Sequence, residues 1–111
     1  MQLNFYVTGK TLVVGFSGEL DHHTAENIRK EIDNYYDEKM LKNIILDLDN
    51  LNFMDSSGIG LILGRYKKAM NNDGKLLLVN ASTRVKKILE MSGITKIIKI
   101  YNSVNNALDN I

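Results

Sequence analysis

Cysteine, proline and tryptophan are all missing from this 111-residue sequence. Without cysteine there is no disulfide framework, thiolate nucleophile or zinc–thiolate site. No apolar run approaches the roughly 20 residues that span a bilayer. The opening Met1–Val7 has no basic stretch followed by a long apolar core, so it does not read as a secretory signal. The expected location is the cytoplasm, with no membrane partner. An excess of charge of one sign is also lacking. Fourteen basic and thirteen acidic residues are scattered along the chain, with no basic block to track a phosphate backbone, so nucleic acid is not the expected partner. Linkers and low-complexity segments are absent too. The chain therefore reads as one domain over residues 1–111, long enough to bury roughly 60–70% of its unfolded surface.

What is present is a regular change of period. Leu3 to Val7 alternates apolar and polar, and Thr8-Gly9-Lys10 turns into Thr11 to Phe16, which predicts a hairpin. Ala25, Ile28, Ile32, Tyr35 and Tyr36 form a helical stripe over 23–38. Asn43 to Leu48 suits a buried strand. A helix over 57–72 carries Ile59, Ile62, Leu63, Tyr66 and Met70 on one face. Lys75 to Val79 is a second buried strand. Ser82 caps a helix that Gly93 stops, Ile97 to Tyr101 is a last strand, and Ser103 caps a short closing helix. The order ββαβαβαβα predicts an α/β fold: a mostly parallel five-stranded sheet that begins with a hairpin, with helices mainly on one side.

Sites in such sheets gather at the carboxyl ends of the strands. Two loops follow consecutive strands there, Gly18 to Thr24 and Asn52 to Gly58, and they are expected to adjoin. The second leads into a helix with Gly58, Gly60 and Gly64 in its first turns. Each costs about 0.5–1 kcal/mol relative to alanine, so either close packing on the sheet or the approach of a partner's backbone or a phosphate demands them. The predicted phase puts Ser57, Leu61, Gly64 and Lys68 opposite the core stripe, with Leu61 facing outward as a docking spot. If the helix begins at Ser57, Ser56 is its N-cap. Asp21 is expected to cap the first helix.

Enzyme chemistry finds little support in these residues. Asp55-Ser56-Ser57-Gly58-Ile59-Gly60 is not a G-x-S-x-G elbow, and no histidine follows it to act as base. Gly58-Ile59-Gly60 resembles the start of a dinucleotide fingerprint, but the third glycine is displaced to Gly64 and no acid ends the next strand. A phosphate loop ending in G-K-[ST] is absent. His22 and His23 are consecutive and rarely aim at one ion, so no metal is expected. Asp21 and Asp55, taken as an acid–base pair, lack accompanying polar groups.

Gly18-Glu19-Leu20-Asp21-His22-His23-Thr24-Ala25-Glu26, then Phe53-Met54-Asp55-Ser56-Ser57-Gly58-Ile59-Gly60 and Ile62-Leu63-Gly64-Arg65-Tyr66, resemble the anti-sigma factor antagonists of the STAS family. The Leu-Asp-His-His-Thr-Ala stretch and Met91-Ser92-Gly93 point to its sporulation branch over the general-stress branch. The resemblance implies an unphosphorylated antagonist that binds an anti-sigma factor, itself an ATP-dependent serine kinase, and so releases a sigma factor. It implies phosphorylation of Ser56 by that kinase and restoration by a metal-dependent serine phosphatase. The ATP belongs to the kinase, so no cofactor is expected in this chain. The expected partner surface is Asp21, His22, His23, Asp55, Ser57, Gly58, Gly60, Leu61, Gly64 and Lys68, on a domain that is monomeric when free. A phosphate on Ser56 would enter a patch made acidic by Asp21 and Asp55. The alternatives are a STAS-type antagonist of a general-stress or other partner-switching pathway, a STAS-type regulator with a non-sigma partner, and a small nucleotide-binding domain that uses the glycine-rich helix start as a phosphate cradle.

Overall fold

Alternating and apolar-dense stretches become strands, and stretches of 3.6 period become helices. The computed structural model describes all 111 residues. Its elements are β1 (Gln2–Thr8), β2 (Thr11–Leu20), α1 (Ala25–Glu38), β3 (Asn43–Met54), α2 (Ser56–Asn71), β4 (Leu76–Val79), α3 (Thr83–Ser92), a 3-10 turn (Ile94–Lys96), β5 (Ile100–Tyr101) and α4 (Val104–Leu108). The expected order ββαβαβαβα is observed, and Ser82 and Ser103 cap α3 and α4 by accepting from the amides of Val85 and Asn106.

The five strands lie in chain order, β1-β2-β3-β4-β5. The first pair is antiparallel and the rest are parallel. Each parallel connection steps the same way across the sheet, and such crossovers are right-handed, so α1, α2 and α3 fall on one side. The core sits there. Leu12, Val14, Phe16, Ile44, Leu46 and Leu78 meet Ile28, Ile32 and Tyr36 of α1, Leu61 and Ile62 of α2, and Val85 and Leu89 of α3. The opposite face carries a smaller apolar cluster, Val13, Ile45, Leu77 and Val79, beneath Ala107 of α4.

Several strand boundaries differ from expectation. β2 and β3 run on to Leu20 and Met54, so Gly18–Leu20 and Asn52–Met54 are strand and not loop. Their parallel register reaches Glu19↔Phe53 and Leu20↔Met54 only through shifts at Gly15/Ser17 and Gly18/Glu19. Gly18 takes φ +116 at the second shift, a conformation that side chains resist. The last strand is shorter than the expected 97–101. Gly93 closes α3 at φ +83, and the following turn tucks Ile94 and Ile98 into the core while Ile97 stays 55% exposed. That apolar run anchors a turn, and only Ile100 and Tyr101 pair with β4.

Candidate partner-binding site

The two loops adjoin as expected. Asp55 N donates to Leu20 O at 3.2 Å, which ties the start of α2 to the end of β2. Asp55 is the centre of the junction. Its Oδ1 accepts from Ser57 N at 2.8 Å and its Oδ2 accepts from His22 N at 3.2 Å. The N-cap of α2 is therefore Asp55 and not Ser56, and the helix begins one residue earlier than expected. The physical reason is reach: a carboxylate serves two amides on two loops, which one hydroxyl cannot do. Partial burial works to raise the Asp55 carboxyl, but the amides of Ser57, His22 and Gly58 and the His22 ring outweigh it and hold it below the usual aspartate range. Negative charge there also meets the positive end of the α2 dipole.

Asp21 sits across the junction. Its Oδ1 accepts from His23 N at 2.9 Å and Thr24 N at 3.2 Å. It closes the turn before α1 and does not cap the helix itself, whose N-cap is Thr24 without a side-chain bond. Asp21 and Asp55 thus hold consecutive amides of one turn, which brings the two carboxylates into one patch. The rings of His22 and His23 lie 3.9 Å apart at the exposed rim, and His22 Nδ1 is 3.6 Å from Asp55 Oδ2.

Ser56 is exposed on the first turn of α2, and its hydroxyl makes no hydrogen bond within the chain. Ser57 is half-buried beside it. The glycines divide by role. A Cβ on Gly58 would stand 2.9 Å from Met54 Cβ and 3.1 Å from both Leu20 Cγ and Leu20 O, so Gly58 lets α2 lie directly on the ends of β2 and β3. Gly60 and Gly64 have open space where a Cβ would go, and packing gives no reason for either. Both lie outside the buried stripe of α2.

The phase of α2 differs from expectation by about one residue. The buried positions are Gly58, Leu61, Ile62, Arg65 and Ala69. Leu61 is core at 5% exposure, whereas Met70, assigned to the core stripe, is 52% exposed. Leu61 is therefore not a docking residue. Lys68 also leaves the expected surface: its Nζ is 3.1 Å from Asp37 Oδ1 on α1 and lies over the Tyr36 ring at 5.7 Å. The exposed stripe is Ser56, Gly60, half-buried Leu63 and Gly64, and Lys67.

The buried polar member of that helix locks it in place. Arg65 Nε lies 2.9 Å from Asp33 Oδ1 of α1. The N–H does not point at the oxygen, so the contact is Coulombic and not a hydrogen bond. Burial pulls the Arg65 guanidinium down from its usual range, and Asp33 works against that pull. One rim contact went unread in the sequence. The Arg84 guanidinium of α3 covers the Phe53 ring at 5.9 Å, so α3 borders the site. Neither residue has a periodic signature; the packing of α3 against β3 brings them together.

The STAS domain family matches residues 2–107, and the chain belongs to that family. Within it, the chain is similar to the anti-sigma F factor antagonist of Paenibacillus polymyxa, 44% identical over 97 residues that cover 87% of this chain and 83% of that one. Among solved structures it resembles the anti-sigma factor antagonist SpoIIAA in its unphosphorylated form, with a TM-score of 0.76 and 32% identity over 98% of this chain and 96% of that one. It also resembles Bacillus SpoIIAA in the phosphorylated form, with a TM-score of 0.74 and 34% identity over 98% of each chain. No helix is long and apolar enough to cross a membrane.

Proposed function

We propose that this chain is an anti-sigma factor antagonist of the sporulation type, switched by phosphorylation of Ser56. Unphosphorylated, it binds an anti-sigma factor that is also an ATP-dependent serine kinase, and a sporulation sigma factor is released. The kinase then phosphorylates Ser56, and the complex parts. A metal-dependent serine phosphatase resets the cycle. The observation that carries this reading is the geometry of Ser56: exposed, unbonded, at the positive end of α2, and one turn from the bare backbone of Gly60. The similar antagonist structures in unphosphorylated and phosphorylated form support it further.

The physics of the switch is local. A phosphate at the first helical residue adds about −1.5 to −2 charges and is tolerated by the helix dipole, so the domain stays folded. The same charge stands beside Asp55 and Asp21. An interface that meets a neutral hydroxyl over glycine would then face a bulky dianion, and like-charge and desolvation penalties of several kcal/mol exceed what a micromolar complex can lose. The test is incubation with a purified sporulation-type anti-sigma kinase and ATP, followed by peptide mass mapping. One phosphate on Ser56 is expected; a phosphate on Ser57 overturns the assignment.

A further inference from the structure

The two edges of the sheet are unequal. β5 offers two residues, whereas β1 offers seven, paired to β2 from Gln2↔Ser17 to Thr8↔Thr11 without a register shift. The outer side of β1 therefore leaves the backbone groups of alternate residues without a strand partner. Monomeric proteins guard such edges with lysine, proline, a bulge or a covering element. Gln2-Leu3-Asn4-Phe5-Tyr6-Val7-Thr8 has no charge and no proline, and it carries Tyr6 at 50% and Val7 at 39% exposure. We propose that β1 pairs with β1 of a second copy of this chain, antiparallel about a two-fold axis midway between the two copies of Phe5, to form one continuous sheet.

The strand is complementary to itself under that operation. Full overlap sets Phe5 against its own copy, Leu3 against Val7, Asn4 against Tyr6 and Gln2 against Thr8. Leu3 and Phe5 pack toward the helix-covered core, and Val7 alternates onto the same face. Apolar residues thus meet apolar residues on that side, and the polar residues meet on the other.

The helix above the strand selects a second copy over a foreign strand. Phe5 stacks on Tyr35 at 4.8 Å, so α1 rides over β1 with Tyr35 level with the axis. Glu31 and Lys39 lie one turn to either side of Tyr35, on its face, and both are exposed. Lys39 Nζ already leans over the Tyr35 ring at 5.8 Å. The two-fold runs the two α1 helices antiparallel and sets Glu31 of one copy opposite Lys39 of the other, twice per dimer. Assembly closes at two copies, because β5 is too short to continue the sheet. Ser56 stays free in each copy, since α1 stands between α2 and the axis. The monomer expected from the sequence is then the dissociated form of a weak dimer, consistent with an interface at the small end of the range.

Sedimentation equilibrium of the full chain from about 1 μM to about 1 mM tests this, with a dimer expected to dissociate inside that range. Glu31→Lys and Lys39→Glu should each weaken it about tenfold, because two symmetry-related attractions become repulsions. The double charge swap should restore it. The chain has no cysteine, so Asn4→Cys mixed with Tyr6→Cys should oxidise to a cross-linked pair far faster than either variant alone. A monomer throughout the range, or a dimer indifferent to both single reversals, overturns the proposal.

Discussion

Replacing Gly58 and Gly60 in turn by alanine should move stability in opposite directions, although the two residues sit two positions apart on one helix. In a helix interior, alanine is favoured over glycine by about 0.5–1 kcal/mol. At Gly60 nothing lies within 4 Å of the added Cβ, so the whole gain should appear. At Gly58 the Cβ would stand 2.9 Å from Met54 Cβ and 3.1 Å from the Leu20 carbonyl oxygen. Neither is the free end of a flexible side chain, so the helix start must shift from the strand ends. Overpacking of that kind costs about 1–3 kcal/mol, and the net loss should be about 1–2 kcal/mol after the propensity gain. At about 4–8 °C per kcal/mol for a domain near this size, Gly60→Ala should melt a few degrees higher than the parent and Gly58→Ala several degrees lower. Thermal melts with parallel urea titrations check this, provided the urea slope is unchanged. Binding to the anti-sigma kinase separates stability from function: Gly60→Ala should bind about tenfold or more weakly while being the more stable protein. A Gly60→Ala variant that is stabilised and binds with native affinity would refute the reading of Gly60 as bare contact surface. A Gly58→Ala variant as stable as the parent would refute the packing role of Gly58.

Leu61→Asp should fail to fold, because it buries an unpaired charge where a core leucine stood; native circular dichroism would contradict the helix phase described above. Ser56→Ala should stay within about 0.5 kcal/mol of the parent, since Asp55 is the cap, and should bind the kinase without ever being released by ATP. Ser56→Asp should remain folded but fail to bind, and native affinity for it would remove electrostatic exclusion as the mechanism. The depressed Asp55 carboxyl contributes stability that is complete above its unfolded value, about 3.9, and is lost as pH falls through the folded value. An Asp55→Asn variant should therefore lose less stability than the parent between neutral pH and about pH 3 in melts compared across that range. Asp33→Ala should cost about 3–5 kcal/mol by stranding the buried Arg65 charge, and Asp33→Ala with Arg65→Met should recover part of it.

The amino-acid order alone carried the element order, the hairpin start and the approximate places of the helices and of both loops. Those depend on local period and turn chemistry, which the chain carries in every segment. It also determined the serine-and-glycine signature at the start of α2. What it could not decide was which way α2 faces. Its buried stripe is Gly58, Leu61, Ile62, Arg65 and Ala69, and two of those five, Gly58 and Arg65, do not read as hydrophobic. Gly58 is buried because two strand ends lie beneath it, and Arg65 because α1 supplies Asp33. Ile59, Leu63 and Tyr66 read as core but are only partly covered. The cap was decided in the same way: Asp55 outcompetes Ser56 because β2 and β3 are parallel neighbours, which brings the His22 amide within reach of its second oxygen. A helix that packs on a sheet and on a second helix takes its phase from both neighbours, and only the tertiary structure brings them together.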